Sequence, residues 1–117
     1  MTPEGKVKAM VKKGLDQFGR HSYKFMPVQT GYGSRTLDFL ICFRGWFVSI
    51  ETKAAGEKPT PLQYTTIDNM DEANGIVFVV DDQASCDITM NVLKELPWLI
   101  RPTSVQRLLP SVSKKAA

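Results

Sequence analysis

The stretch LDFLICFRGWFVSIETK, Leu37 to Lys53, carries the decisive pattern of this chain. Phe, Leu, Ile, Val and Trp crowd both sides of Arg44-Gly45, as in a β-hairpin closed by a two-residue turn. Arg-Gly is weaker turn chemistry than Asn-Gly, yet the flanking apolar runs are those of paired strands. With that turn, Phe43 faces Trp46, Ile41 faces Val48, Phe39 faces Ile50, and Asp38 faces Glu51. Residues facing each other across antiparallel strands hold their Cβ atoms about 4.5–5.5 Å apart. The strand period of two sends Ser49, Glu51 and Lys53 to one face and Val48, Ile50 and Thr52 to the other. The hairpin thus offers Asp38, Glu51 and Lys53 as one cluster, with Thr52 expected to face away from it.

Such a cluster is costly. Like charges directly opposite one another destabilise a sheet, and each carboxylate interrupts an otherwise apolar strand. A cation between them relieves both penalties. Oxygen ligands with open positions suit Mg²⁺ or Mn²⁺, which retain waters and accept phosphate oxygens as further ligands. An ion of this kind acidifies bound water and stabilises charge building on a phosphate. Lys53 could orient or help deprotonate that water, or neutralise the charge of the transition state. The competing reading is an ion pair of Lys53 with Glu51 or Asp38 on a solvated sheet, without metal.

Upstream, Thr2 is placed to cap a helix with Pro3 in its first turn. Val7, Met10, Val11, Leu15 and Phe18 recur at helical spacing, which predicts an amphipathic helix over residues 3–18, stopped by Gly19. Ser22 to Arg35 reads as a short strand and a loop containing Gly31 and Gly33. Downstream, residues 54–59 form a loop, and a second helix starts at Thr60-Pro61 and runs to Glu72. The run Ile76–Val80 has the length and branching of a buried strand. A third helix is expected over Ser85–Leu96, with Ile88, Val92 and Leu96 at spacing four, and a further partly helical stretch over 103–109. The fold class is therefore α/β: one small domain, residues 1–112, with a mixed sheet, flanking helices and the order α-β-β-β-α-β, then a frayed tail, 113–117.

Composition narrows the function classes. The 117 residues are 43% hydrophobic and 23% charged, which is globular. No apolar run approaches the length needed to span a bilayer, and the N-terminus is polar from its second residue, unlike a secretory signal. Two cysteines and one histidine exclude a disulfide framework and make a nitrogen/sulfur zinc site a poor fit. A reducing, cytoplasmic setting is expected. Residues 1–58 hold ten Lys and Arg against five Asp and Glu, and residues 59–117 hold five against seven. A basic first half suits a polyanion such as nucleic acid, although solvated helix faces explain the same count.

Asp38, followed after twelve residues by Glu51-Thr52-Lys53 and preceded by an amphipathic helix, resembles the PD-(D/E)XK nuclease superfamily. The finer pattern is similar to its VRR-NUC (virus-type replication-repair nuclease) branch. Glu4 opens the first helix, Gly31-Tyr32-Gly33 precede the aspartate, Gly56, Lys58 and Gln63 follow the Glu-x-Lys, and Gly75 leads into a buried strand. The resemblance spans about residues 3–82 and implies a restriction-endonuclease-like core. Leu37 stands where the family usually has proline, a change expected to alter strand entry more than chemistry.

The resemblance implies a Mg²⁺- or Mn²⁺-dependent DNA endonuclease, selective for branched or junction DNA and working as a homodimer. Asp38, Glu51, the Thr52 backbone carbonyl and Glu4 would serve the metal, with Asp38, Glu51, Lys53 and Gln63 as the catalytic set. Glu4 is equally suited to complement the helix dipole, and Gln63 to complete a capping box with Thr60, two roles expected to alternate. Lys6, Lys8, Lys12, Lys13 and Lys24 could follow DNA phosphates, as could Lys58. Tyr32 and Arg35 lie on the loop bordering the cluster. Trp46 suits a dimer partner or a base, whereas His21 and Cys42 read as structural. The rival function is a non-catalytic nucleic-acid-binding or assembly module, and an RNA substrate is a further alternative.

Overall fold

The structure is a computed structural model that describes residues 1–28 and 36–100. Helix α1 spans Pro3–Asp16, capped by the Thr2 hydroxyl, which accepts from Gly5 N–H. It stops two residues before the expected end. Gln17 closes it, and a 3-10 turn follows at Gly19–His21, opened by Gly19 at a φ of 52° that favours glycine. Strands β1 (Ser22–Phe25), β2 (Phe39–Phe43) and β3 (Trp46–Thr52) come next, then α2 (Pro61–Glu72), β4 (Ile76–Val80) and α3 (Gln83–Glu95). The sheet order is β1-β2-β3-β4, antiparallel except for the parallel β3–β4 pair. A parallel pair needs a crossover, and α2 supplies it.

The hairpin register is the one the turn dictates, from Phe43 opposite Trp46 to Phe39 opposite Ile50. Arg44 and Gly45 both have positive φ, 49° and 90°, as in the turns whose twist matches paired strands. Arg44 holds that unusual conformation through what its side chain reaches. Its guanidinium donates to His21 Nδ1 and to the carbonyls of Lys94 and Leu96, and lies 4.9 Å from the Phe43 ring centre.

One face of the sheet presents Phe39, Ile41, Phe43, Val48, Ile50 and Val80 to Val7, Val11, Leu15 and Phe18 of the α1 region and to Cys86, Met90 and Leu93 of α3. Gly14 permits the close approach of α1 to α3, because a Cβ there would lie 2.9 Å from the Met90 terminal carbon. Helix α2 packs on the other face against β4, next to Phe47 and Gly75.

Two expectations change here. Helix α3 begins at Gln83, because Asp82 is its cap and Ser85 completes the capping box from inside the first turn. Its buried face is Cys86, Thr89, Met90 and Leu93, so Ile88 (64% exposed) and Val92 (41%) point outward. The spacing-four row alone could not tell which side would meet α1. Trp46 is tied within the chain, its indole N–H donating to Pro97 O at 2.7 Å. His21 is structural as expected, accepting from Arg44 and stacking edge-on with Trp98. Among the described residues no helix is long and apolar enough to cross a membrane. The stretch 103–109, the boundary at residue 112 and the tail 113–117 lie outside the described residues.

Candidate active site

At its open end the hairpin ladder stops at the Phe39–Ile50 pair, and side chains make the next rungs. The Asp38 backbone N–H donates to Glu51 Oε1 at 3.1 Å. In return Asp38 Oδ2 accepts from Thr52 N–H at 2.9 Å and from the Thr52 hydroxyl at 2.6 Å. Each carboxylate is therefore fastened to the strand that carries the other. Both are buried, Asp38 at 7% exposure and Glu51 at 2%.

The site lies at the sheet's end, between the two helical layers. Lys8 of α1 reaches Asp38 Oδ1 at 3.5 Å. From the other layer, the Gln63 side-chain amide N–H donates to Glu51 Oε2. Lys53, itself buried, holds its Nζ 3.8 Å from the same oxygen. Two carboxylates, two lysines and one amide thus converge from four elements or their immediate flanks.

The electrostatics are those of a site held at a cost. Burial, and next the adjacent Asp38 charge, push Glu51 from 4.5 up to about 7, against the pull of the Asp38 N–H and Lys53. Buried carboxylates with pKa values displaced in this direction concentrate at functional sites. Among the described residues every buried side-chain nitrogen or oxygen has a hydrogen-bond partner, so the strain is one of charge rather than of missing contacts.

Two of the sequence expectations need revision. Thr52 does not simply face away. Its methyl side follows the strand alternation into the core, but its hydroxyl turns back to Asp38, because Asp38 precedes β2 and its side chain is not bound by the pleat. Gln63 does not alternate between roles. Its Oε1 accepts from Thr60 N–H at 2.9 Å in the capping box while its Nε2 serves Glu51. The two ends of one amide do both tasks together.

The remaining residues spread out. Glu4 lies in the first turn of α1, one turn from Lys8 on the same row. Among the described residues no three His, Cys, Asp or Glu side chains gather to hold a metal, so Glu4 stands apart from the Asp38–Glu51 pair. Lys12 continues the row of Glu4 and Lys8, whereas Lys6 and Lys13 border the groove between α1 and α3. Lys24 on β1 lies 4.0 Å from Asp16, and Lys58 is exposed on the loop after β3. Tyr32 and Arg35 lie outside the described residues. The sequence reading groups Lys8 with the phosphate-tracking lysines, not with the carboxylates. Its spacing of four from Glu4 was the signal that set it beside the site.

An oxygen-only donor pair, buried and repelling, fits a hard divalent cation, which needs few protein ligands when waters and phosphates supply the rest. No family model and no curated protein matches this sequence. Among solved structures, one described as a "VRR_NUC domain" matches with a TM-score of 0.67 at 25% identity, over 78% of this chain and 97% of that one. That likeness gives the chain the fold of a VRR-NUC nuclease-type domain and supports the resemblance read from its sequence.

Proposed function

We propose that the domain is a Mg²⁺- or Mn²⁺-dependent endonuclease that hydrolyses phosphodiester bonds in branched or junction DNA. The observation that carries this reading is the reciprocal fastening of Asp38 and Glu51 at the open end of the hairpin, with Lys53 Nζ 3.8 Å from Glu51. Asp38, Glu51 and the Thr52 backbone carbonyl would hold the cation, which supplies Lewis acidity toward the scissile phosphate and its attacking water. Lys53 orients that water and offsets negative charge on the phosphate. Its buried position keeps competing solvent away and strengthens its field. Gln63 holds Glu51 from the opposite layer, so Glu51 cannot swing away when substrate enters. Glu4, on the Lys8 row, acts on the pair through water.

Lys8 and Lys12 lead away from the site along α1 and are suited to the strand being cut. Lys58, Tyr32 and Arg35 flank it in sequence, while Lys6, Lys13 and Lys24 add sequence-independent attraction to phosphates. A homodimer would present two such sites to the two strands of a symmetric junction.

The test is direct. Labelled four-way junction, flap, single-stranded and linear duplex DNA, with a matched RNA, are incubated with the protein in Mg²⁺, Mn²⁺ or EDTA. Metal-dependent cutting strongest on the branched substrates is the expected outcome. Tight binding without cutting in any metal would leave a binding module instead.

A further inference from the structure

We propose that Thr52 is a positioning residue, whose hydroxyl sets which oxygen Asp38 presents to the site. The inference rests on the reading of Asp38 as a metal-holding carboxylate. Thr52 pairs with Val80 across β4 and shares its face with Val48 and Ile50, all fully buried. Valine would fill that slot with the same shape and without a hydroxyl to desolvate. The hydroxyl that stands there instead donates to Asp38 Oδ2 at 2.6 Å, within the short range of charge-assisted O–H···O⁻ bonds. The backbone N–H of the same residue takes the same oxygen at 2.9 Å.

Two donors on Oδ2 leave Oδ1, the oxygen beside Lys8, as the one Asp38 turns toward a cation. Among the described residues no other contact restrains this carboxylate as firmly. Asp38 lies one residue before β2 begins, so the strand does not set its side-chain direction, and Lys8 at 3.5 Å is partly exposed and long. Without the hydroxyl only the Thr52 N–H holds Oδ2, and the carboxylate rotates about its terminal bond more readily. A cation then meets a less ordered ligand.

The experiment compares wild type, Thr52→Val and Thr52→Ser by Mn²⁺ titration calorimetry without DNA, thermal melts in EDTA, and steady-state cleavage of the best substrate. Thr52→Val should weaken Mn²⁺ binding by about 10- to 100-fold, the usual cost of losing a group that orients a metal ligand. It should lower kcat with little change in KM for DNA. Thr52→Ser should restore Mn²⁺ affinity to within about threefold. The EDTA melts should show Thr52→Val no less stable than wild type, since the Thr52 N–H still satisfies Asp38 Oδ2. Wild-type Mn²⁺ affinity in Thr52→Val, or a loss that serine does not rescue, overturns the proposal while leaving the nuclease reading intact. A wild type that neither binds Mn²⁺ nor cuts any substrate overturns both.

Discussion

The two ends of the β2–β3 hairpin each hold charge in a confined place, and they treat it differently. At the turn, the Arg44 guanidinium meets carbonyls at the C-terminal end of α3, a histidine nitrogen and an aromatic face. All of these attract a cation, and the helix end adds its dipole. At the open end, two carboxylates are pressed together, and Glu51 is driven up to about 7 despite Lys53 beside it. Charge matched by its surroundings locks the hairpin to α3. Charge opposed by its neighbour is an arrangement whose cost a bound cation would relieve.

The sharpest test of the open end is Lys53→Ala. Cleavage should fall by about 10²- to 10⁴-fold, the range for losing a proton-transferring or charge-stabilising group, with DNA binding by filter or anisotropy assay near wild type. Unchanged cleavage per folded molecule would leave Lys53 a mere counter-ion. The matching test of the turn is Arg44→Ala, which removes charge-assisted bonds to two carbonyls. It should destabilise by about 2 kcal/mol, lowering the Tm by on the order of 10 °C, while cleavage per folded molecule stays the same. If the two variants exchanged phenotypes, the distinction between lock and site would collapse.

A smaller effect separates repulsion from pairing at the open end. Asp38→Asn keeps the shape and can still accept both Thr52 bonds, while it relieves Glu51 of its neighbour's charge. In EDTA its Tm should equal or exceed that of wild type, and the Mn²⁺-induced gain expected of wild type, about 2.7 kcal/mol at a hundredfold excess over Kd, should vanish. A clear drop in EDTA would mean that the Lys8–Asp38 ion pair outweighs the repulsion.

How far these contrasts were legible in the sequence depends on range. The two-residue turn propagates register along both strands, so Asp38 opposite Glu51 followed from counting. Thr2, Pro3 and the Thr60–Gln63 box likewise announce helix starts through local hydrogen bonding. What sequence could not show is which helix faces meet the sheet. The exposed Ile88 and Val92 row, the arrival of Lys8 at Asp38 and the reach of Gln63 to Glu51 all depend on how α1, α2 and α3 dock. The bond from the Thr52 hydroxyl to Asp38 is illegible for a different reason. Strand alternation describes residues inside a ladder, and Asp38 sits just beyond one.

The gentlest probe is pH. Glu51 is raised from 4.5 to about 7 in the folded chain, so between those values the native state keeps a proton that the unfolded state has released. The Glu51 contribution to stability in EDTA should therefore be fullest below about 4.5, decline as pH rises through about 7, and level off above it. Midway between 4.5 and about 7 the slope should approach, without exceeding, the one-proton limit of about 1.4 kcal/mol per pH unit. Urea melts across this range should show the decline in wild type and not in Glu51→Gln.

The doubled duty of Gln63 makes the start of α2 a messenger from the site. Its amide group grips the Thr60 N–H with one end and Glu51 with the other, so a change in the partners of Glu51 polarises a bond several ångströms away. In a ¹⁵N-labelled sample, the backbone resonances of Thr60 and Gln63 should move as Mn²⁺-free protein is titrated with diamagnetic Mg²⁺, before any DNA is added. The cap of a helix would then serve as a spectroscopic gauge of occupancy, readable without a substrate and independent of turnover.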